Sequence, residues 1–335
     1  MNEPVLNFSV SVIIPIYNGE LDLPDLLDCL RSQTFPRDRV EYLLIDNNSQ
    51  DKTLEVLSNA AQNFQSEGFI FKVLVEKEIQ SSYAARNVGI RQANGEILLF
   101  TDVDCRPQPQ WVAEIVSHFA DPTIGIVVGE LQGLAGPSLL EQYALSNQMM
   151  SQHFLVEHPF CSYGQTANLA IRKLALYQIG LFRPYLTTGG DADICWRIQR
   201  ETTWKLTTAP QALIYHRNRD NFGDLHQQWK RYGASNRYLH ELYGVPLMRS
   251  LTFTEGAYDL VRWLVKELPL GCIRLLRGKA QAIDLIKTPI DIFNFQSRTI
   301  GQKKAKFPEN ARYIDRLEVN PGHTLGDRSY PLTKR

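Results

Sequence analysis

The chain has 335 residues, 44% of them hydrophobic and 21% charged, which excludes a disordered polymer and allows one large core or two smaller ones. Basic and acidic side chains number 36 each, so no global field selects nucleic acid as a partner. Along the first 130 residues, "VSVIIPI" (10–16), "EYLLID" (41–46), "FIFKVLV" (69–75), "EILLFTD" (96–102) and "TIGIVVGE" (123–130) read as strands largely buried on both faces. Between them, Leu23, Leu26, Leu27 and Leu30 share one helical face, and "DKTLEVLSNAAQNF" and "SSYAARNVGIRQANG" suit helices, the latter ending at Gly95. Such alternation predicts an α/β fold with a mostly parallel sheet and helices on both faces.

Ligands of such sheets sit beyond the carboxyl ends of the strands. Pro15, Tyr17 and Asn18 end the first strand; Asp46, Asn47, Asn48, Ser49 and Asp51 follow the second; Asp102 and Asp104 follow the fourth; Arg86 and Asn87 lie on the helix after the third. Carboxylates, an arginine and an aromatic at one edge suit a nucleotide with a divalent metal. There is no GxGxxG or GxxxxGK[ST], so neither the dinucleotide fingerprint nor the P-loop applies. In "LLFTDVDCRP" (97–106), Asp102 and Asp104 stand at i and i+2 of an extended segment, so their carboxylates are expected to converge beside something positive. An Asp-rich turn is the plainer alternative.

A second DxD, in "TTGGDADICWRIQR" (187–200), precedes a helix. Gly189 and Gly190 allow a tight turn, and Asp191 and Asp193 sit near the positive end of that helix. Helix capping accounts for them, as does a carboxylate presented as a general base; Asp193 is expected to be a cap.

Five cysteines (Cys29, Cys105, Cys161, Cys195, Cys272), odd in number and without a CxxC, fit reduced thiols better than a disulfide framework or a zinc site. The N-terminus does not read as a signal peptide, and no apolar run approaches the roughly 18 residues of a membrane span. A cytoplasmic protein is expected.

"SVIIPIYN", "LLIDNNSQDKT", "AARNVGI", "NGEILLFTDVDC", "GQTANLAIRK" and "GGDADICWRI", in this order and at these intervals, resemble the family 2 inverting glycosyltransferases of GT-A fold over about residues 9–240. The resemblance implies Tyr17 and Asp46 at the nucleotide base, Pro15 and Asn18 beside it, Arg86 near base or ribose, and Asp102 at the ribose and metal water shell. It further implies Asp104 on the divalent cation, Mg²⁺ or Mn²⁺, and Asp191 as catalytic base. In "IYHRNRDNFGDLHQQWKRYG", His216 would approach the metal or diphosphate, and Gln228, Trp229 and Arg231, with Asn168, would border the acceptor or diphosphate. The family often carries Glu before the base, where this chain has Gly190, and many relatives have Asp where this chain has Asn47.

The implied reaction is transfer of a sugar from a nucleoside diphosphate, UDP foremost, to a glycan or lipid-linked acceptor in polysaccharide or cell-envelope synthesis. A nucleotide-sugar-binding module without catalysis, or a nucleotidyltransferase on a similar sheet, are the alternatives. The expected organisation is a catalytic domain over 1–245, with a nucleotide-sugar half to about 105 and an acceptor half beyond, then a helical segment over 246–316 and a mobile tail over 317–335. In that segment Leu260, Val261, Leu264, Val265 and Leu268 form one stripe, followed past Pro269 by Arg274, Arg277 and Lys279 among apolar residues. Such a stretch suits either an anionic membrane surface, at the inner face of the cell membrane, or packing against the catalytic domain.

Overall fold

The computed structural model describes residues 8–317; residues 318–335 of the expected tail lie outside the described residues. Among the described residues the chain divides into two compact units, one made of 8–132, 151–216 and 308–317, the other of 133–150 and 217–307. The longer segment of the second unit thus begins at Arg217, well before the change of sequence pattern near 245.

The first unit opens with β1 (Val10–Ile16), α1 (Leu23–Arg31), β2 (Val40–Asp46), α2 (Thr53–Ser66), β3 (Ile70–Val75), α3 (Ser82–Gln92) and β4 (Ile97–Phe100). It continues with β5 (Cys105–Pro107), α4 (Trp111–Ser117), β6 (Ile124–Gly133), α6 (His153–Val156), β7 (Leu169–Arg172), α7 (Lys173–Ile179), α8 (Gly190–Glu201) and β8 (Lys205–His216), with α5 (Leu139–Ser146) belonging to the second unit. The sheet order is β3-β2-β1-β4-β7-β6-β8-β5. β1 to β4 pair in parallel, as the βα alternation dictates, whereas β7 joins β4 and β6 antiparallel and β5 joins β8 antiparallel.

β1, β2 and β4 are buried along their whole length and supply the core, with α1 closing on it through Leu23, Leu26, Leu27 and Leu30. Pro15 is tolerated in this central strand because β4 pairs with β1 only as far as Ile13. β3 departs from the expectation of burial on both faces: it ends the sheet, and Ile70 and Val75 are exposed. The strand order reverses between β1 and β4, where α/β sheets open a crevice at their carboxyl ends.

The second unit comprises α5, α9 (Phe222–Tyr243), α10 (Phe253–Arg262), α11 (Leu268–Leu276) and α12 (Lys287–Lys304). Leu140, Tyr143, Leu225, Ile283 and Ile290 form its buried apolar cluster. The Tyr143 hydroxyl bonds Asp291, and His226 Nδ1 lies 2.7 Å from Ser297 Oγ, tying α5 and α9 to α12. After α12 the chain rejoins the first unit: the Leu181 amide donates to the Asp315 carbonyl (2.7 Å), and Arg183 donates to the Arg312 carbonyl (2.5 Å).

Candidate active site

The segments at the carboxyl ends of β1, β2 and β4 carry Tyr17, Asn18, Asp46, Asp102 and Asp104, whereas Arg86 lies on α3, Asp191 on α8 and His216 at the end of β8. Asn18 takes a left-handed φ of 50°, which asparagine tolerates. Its amide N–H donates to Ser49 Oγ (2.9 Å) and its Oδ1 accepts from the Gln50 amide (2.8 Å), so it knits the loops after β1 and β2. Pro15 is buried within β1 opposite Ile45, whereas Tyr17 is 51% exposed, leaving its ring open to a stacking partner. Asp46, buried at the end of β2, receives only long contacts from the Ser49 amide, 3.4 Å to each oxygen. Asn47 is structural: its side-chain N–H groups donate to the carbonyls of Glu76 and Ile79, both at 3.0 Å, anchoring the segment after β3.

The pair after β4 is arranged differently from the extended-strand expectation. β4 stops at Phe100, and Asp102 to Asp104 form a turn closed by the Cys105 amide donating to the Asp102 carbonyl (3.2 Å). Strand alternation therefore does not apply, and the carboxylates find separate partners. Asp102 accepts from the buried Arg86 guanidinium (2.5 Å). Asp104 Oδ1 lies 3.3 Å from His216 Nε2, which reaches it because β5 pairs with the end of β8 and sets Cys105 opposite His216.

Asp104, Cys105 and His216 each offer a ligand atom within 4.8 Å of the others. Burial pushes the Cys105 thiol well up, and the neighbouring charges of Asp104 and Asp102 push it further; sulfur is in any case a poor match for a hard divalent cation. One carboxylate oxygen and one imidazole nitrogen remain, a set suited to Mg²⁺ or Mn²⁺ with coordination positions left for phosphate oxygens.

The second DxD splits between two environments. Gly189, with φ of 80°, is the N-cap of α8, so Asp193 stands a full turn inside the helix. It is not a cap. Fully buried, its carboxylate accepts from Arg183 Nε (2.8 Å) and Arg197 Nε (3.0 Å), and Arg183 in turn holds the carbonyls of Ala311 and Arg312. Asp191 is half-buried and accepts from Thr166 Oγ1 (3.0 Å), with the Tyr83 hydroxyl in hydrogen-bonding reach. Burial pushes its carboxyl above the ordinary range; Arg86, Thr166 and Tyr83 oppose that rise, and Asp102 adds to it. Tyr83 also accepts from the Gly190 amide (3.0 Å) and stacks on Phe182. A Cβ at Gly190 would lie 2.7 Å from the Tyr83 ring, so a side chain before Asp191 would have to displace that ring.

With this geometry established, the comparisons are direct. Residues 11–178 match the family described as Glycosyl transferase family 2, and residues 97–276 match Glycosyl transferase family group 2. The glycosyltransferase AglE of Haloferax volcanii is 32% identical over 77% of this chain and 82% of its own. The chain belongs to glycosyl transferase family 2. A second relative of this family 2 glycosyltransferase, the pre-mycofactocin glycosyltransferase of Mycobacterium tuberculosis, is 26% identical over 79% of this chain and 54% of its own. The solved mannosyltransferase PcManGT of Pyrobaculum calidifontis, in complex with GDP-Man and Mn²⁺, superposes with a TM-score of 0.58 at 20% identity, over 90% of this chain and 88% of its own. The fold is of the GT-A type.

Among the expected site residues of this family 2 enzyme, the first unit gathers Arg86 with Asp102, Asp104 with His216, and Asp191 with its two hydroxyl partners. Asn168 is fully buried, accepts from Trp111 Nε1 (2.8 Å) and donates to the carbonyls of Glu130 and Ala212 (2.8 Å each), so its amide is bonded within the core. Gln228, Trp229 and Arg231 lie on α9 in the second unit: Gln228 is buried and donates to the Tyr232 hydroxyl (3.0 Å), Trp229 packs on the apolar cluster, and Arg231 is exposed. Tyr83 and Thr166 were not anticipated. Tyr83 stands three residues before Arg86, hence on the same face of α3, which was the available signal; nothing in "GQTAN" singled out Thr166.

Proposed function

We propose that this chain is a metal-dependent, inverting glycosyltransferase that moves a sugar from a nucleoside diphosphate, UDP foremost, to a glycan or lipid-linked acceptor. The observation that carries the reading is the division of labour among acidic groups in the first unit: Asp104 paired with His216, Asp102 with Arg86, and Asp191 held apart on α8 by Thr166 and Tyr83. The Mn²⁺ and GDP-Man of PcManGT support the metal and the donor class.

In this reading the exposed Tyr17 ring stacks on the base, and Asp46, with only long contacts of its own, accepts hydrogen bonds from base or ribose. Arg86 orients Asp102 toward the ribose. Asp104 and His216 hold Mg²⁺ or Mn²⁺, which when bound supplies the positive charge that stabilises the departing diphosphate. Glycosidases need a second carboxyl to protonate the leaving oxygen; a nucleoside diphosphate does not, so one base suffices. Asp191 takes the proton of the acceptor hydroxyl, and its raised affinity for protons strengthens it as a base. Thr166 and Tyr83 fix the carboxylate's orientation. A single displacement on the face opposite the diphosphate inverts the anomeric centre.

The test is release of free nucleoside diphosphate across a panel of sugar nucleotides with Mg²⁺ or Mn²⁺, with glycan and lipid-phosphate acceptors. NMR of the product then gives its anomeric configuration. Metal-dependent release with inverted product is expected; no release from any donor, or retained configuration, contradicts the reading.

A further inference from the structure

Residues 253–276 form one continuous helical rod in the second unit, with a π-helical turn at Trp263–Glu267 joining α10 to α11. One stripe of the rod is tied down. Gly256 is buried, Trp263 Nε1 donates to the Leu285 carbonyl (2.7 Å), Glu267 accepts from Thr288 Oγ1 (2.6 Å), and Gly271 backs onto Leu285. The remaining surface carries ten of the 23 exposed large hydrophobic side chains found among the described residues, a concentration unlike the scattered apolar exposure of ordinary surfaces. Phe253 is 90% exposed, Val265 71% and Leu276 89%, so these rings and branches have no cover within the unit.

The charge along the rod is equally uneven. Arg262 is paired with Asp259 and Glu267. From Leu268 to Ala280, by contrast, the chain carries exposed Arg274, Arg277 and Lys279 and no acidic residue, although its overall charge is balanced. No helix among the described residues is long and apolar enough to cross a membrane. A helix lying in the interface plane needs this combination: apolar side chains sunk among acyl chains and cations against anionic headgroups.

We propose that the α10–α11 rod is a docking surface for an anionic lipid bilayer, and that it holds the protein at the membrane interface without spanning it. A second copy of the chain would match the apolar side chains, but the cations of 268–280, which no acidic residue of that segment offsets, call for an anionic surface. The proposal does not depend on the transferase reading, because partition onto vesicles needs neither donor nor turnover.

Among the five cysteines, all within the described residues, Cys272 alone is exposed, and it lies on α11. An environment-sensitive fluorophore on Cys272 of the intact chain therefore reports the rod's surroundings. With phosphatidylcholine vesicles containing about one third phosphatidylglycerol, the dye should shift to the blue and the protein should sediment with the lipid, about 10-fold more strongly than with phosphatidylcholine alone. Val265→Glu with Leu276→Glu should lower that partition by about 10-fold or more, and Arg274→Glu with Arg277→Glu should bring it to the level of neutral lipid. Leu276→Gln alone, at an almost fully exposed position, gives the same reading should the double variant fail to fold. Substitution is preferable to truncation, because residues 308–317 belong to the first unit and hold Arg183. Absence of partition by the intact chain overturns the proposal, as does partition insensitive to Val265 and Leu276. A dye already shifted without lipid, in a dimer that Val265→Glu dissociates, overturns it in favour of a second copy.

Discussion

In the turn after β4, Asp102 and Asp104 both face polar partners near the strand ends, the one bound to Arg86 and the other beside His216. At the start of α8, Asp191 meets Thr166 and Tyr83 while Asp193 is locked between Arg183 and Arg197 with no exposure at all. The two segments share the pattern Asp-x-Asp and differ in backbone. Residues two apart on an α-helix point about 200° from one another, so one carboxylate must turn inward when its neighbour turns out. In a turn no such constraint operates, and both can remain functional. A DxD therefore acquires meaning only from the element that carries it.

The strand-end pair should be the more sensitive of the two in donor binding. Asp104→Asn is expected to weaken UDP binding in Mn²⁺ by about 100-fold and to reduce transfer at least as much, since an amide leaves His216 as the only charged or strongly basic ligand. EDTA should bring the wild type to the same level and leave the variant unchanged in calorimetry. UDP affinity indifferent to EDTA removes the metal role from this pair.

The helix-start pair should respond in stability at one position and not at the other. Asp193→Asn leaves two buried guanidinium groups without their carboxylate, which costs about 3–5 kcal/mol rather than the roughly 1 kcal/mol of a lost cap. Urea denaturation measures this, and turnover per folded molecule should change little. A cost at the capping level would mean that the buried arginines find other partners.

Smaller effects follow from the hydroxyls around Asp191. Thr166→Val and Tyr83→Phe each remove a bond that favours the ionised carboxylate. The acid limb of the kcat profile should move to higher pH, with kcat near neutrality reduced by about 10-fold or less and UDP affinity unchanged. An unmoved limb assigns both hydroxyls a purely structural role.

The smallest expected effect is on stability through Asp191 itself. Its folded-state value is raised above the ordinary 3.8, so the wild type binds the proton more tightly when folded than when unfolded. That contribution is fully present below the unfolded value and is lost as pH rises through the folded one. Asp191→Asn should therefore be as stable as the wild type in acid and more stable near neutrality, a melting-temperature gap that opens with pH. A gap of opposite sign would show that Thr166, Tyr83 and Arg86 outweigh burial.

The parallel half of the sheet was legible because burial on both faces writes near-continuous apolar runs, and β1, β2 and β4 match them within a few residues. β5 and β7 are only three and four residues long, too short for any period, and β8 reads "KLTTAPQALIYH", where Pro210 and the polar threonines mask a strand near the sheet's far end. The roles of Asp46, Asp104 and Asp191 were suggested by ordered motifs, but the meeting of Asp104 with His216 depends on β5–β8 pairing across more than a hundred residues. The partners of Asn168 were hidden for a related reason: a motif asparagine looks the same whether its amide faces a ligand or, as here, bonds Trp111 and two buried carbonyls. Gly190 is the converse case, since its apparent lack of a supporting side chain is explained only when the Tyr83 ring is seen to fill that space.

The most direct test of the account measures binding and transfer together on Asp191→Asn. UDP titrated in Mn²⁺ should bind within about 2-fold of the wild type, while sugar transfer to acceptor falls by about 100-fold or more, the loss expected for a positioned base. Transfer that survives the substitution, or binding and transfer that fall together, would contradict the assignment of donor holding to the strand-end pair and proton acceptance to Asp191.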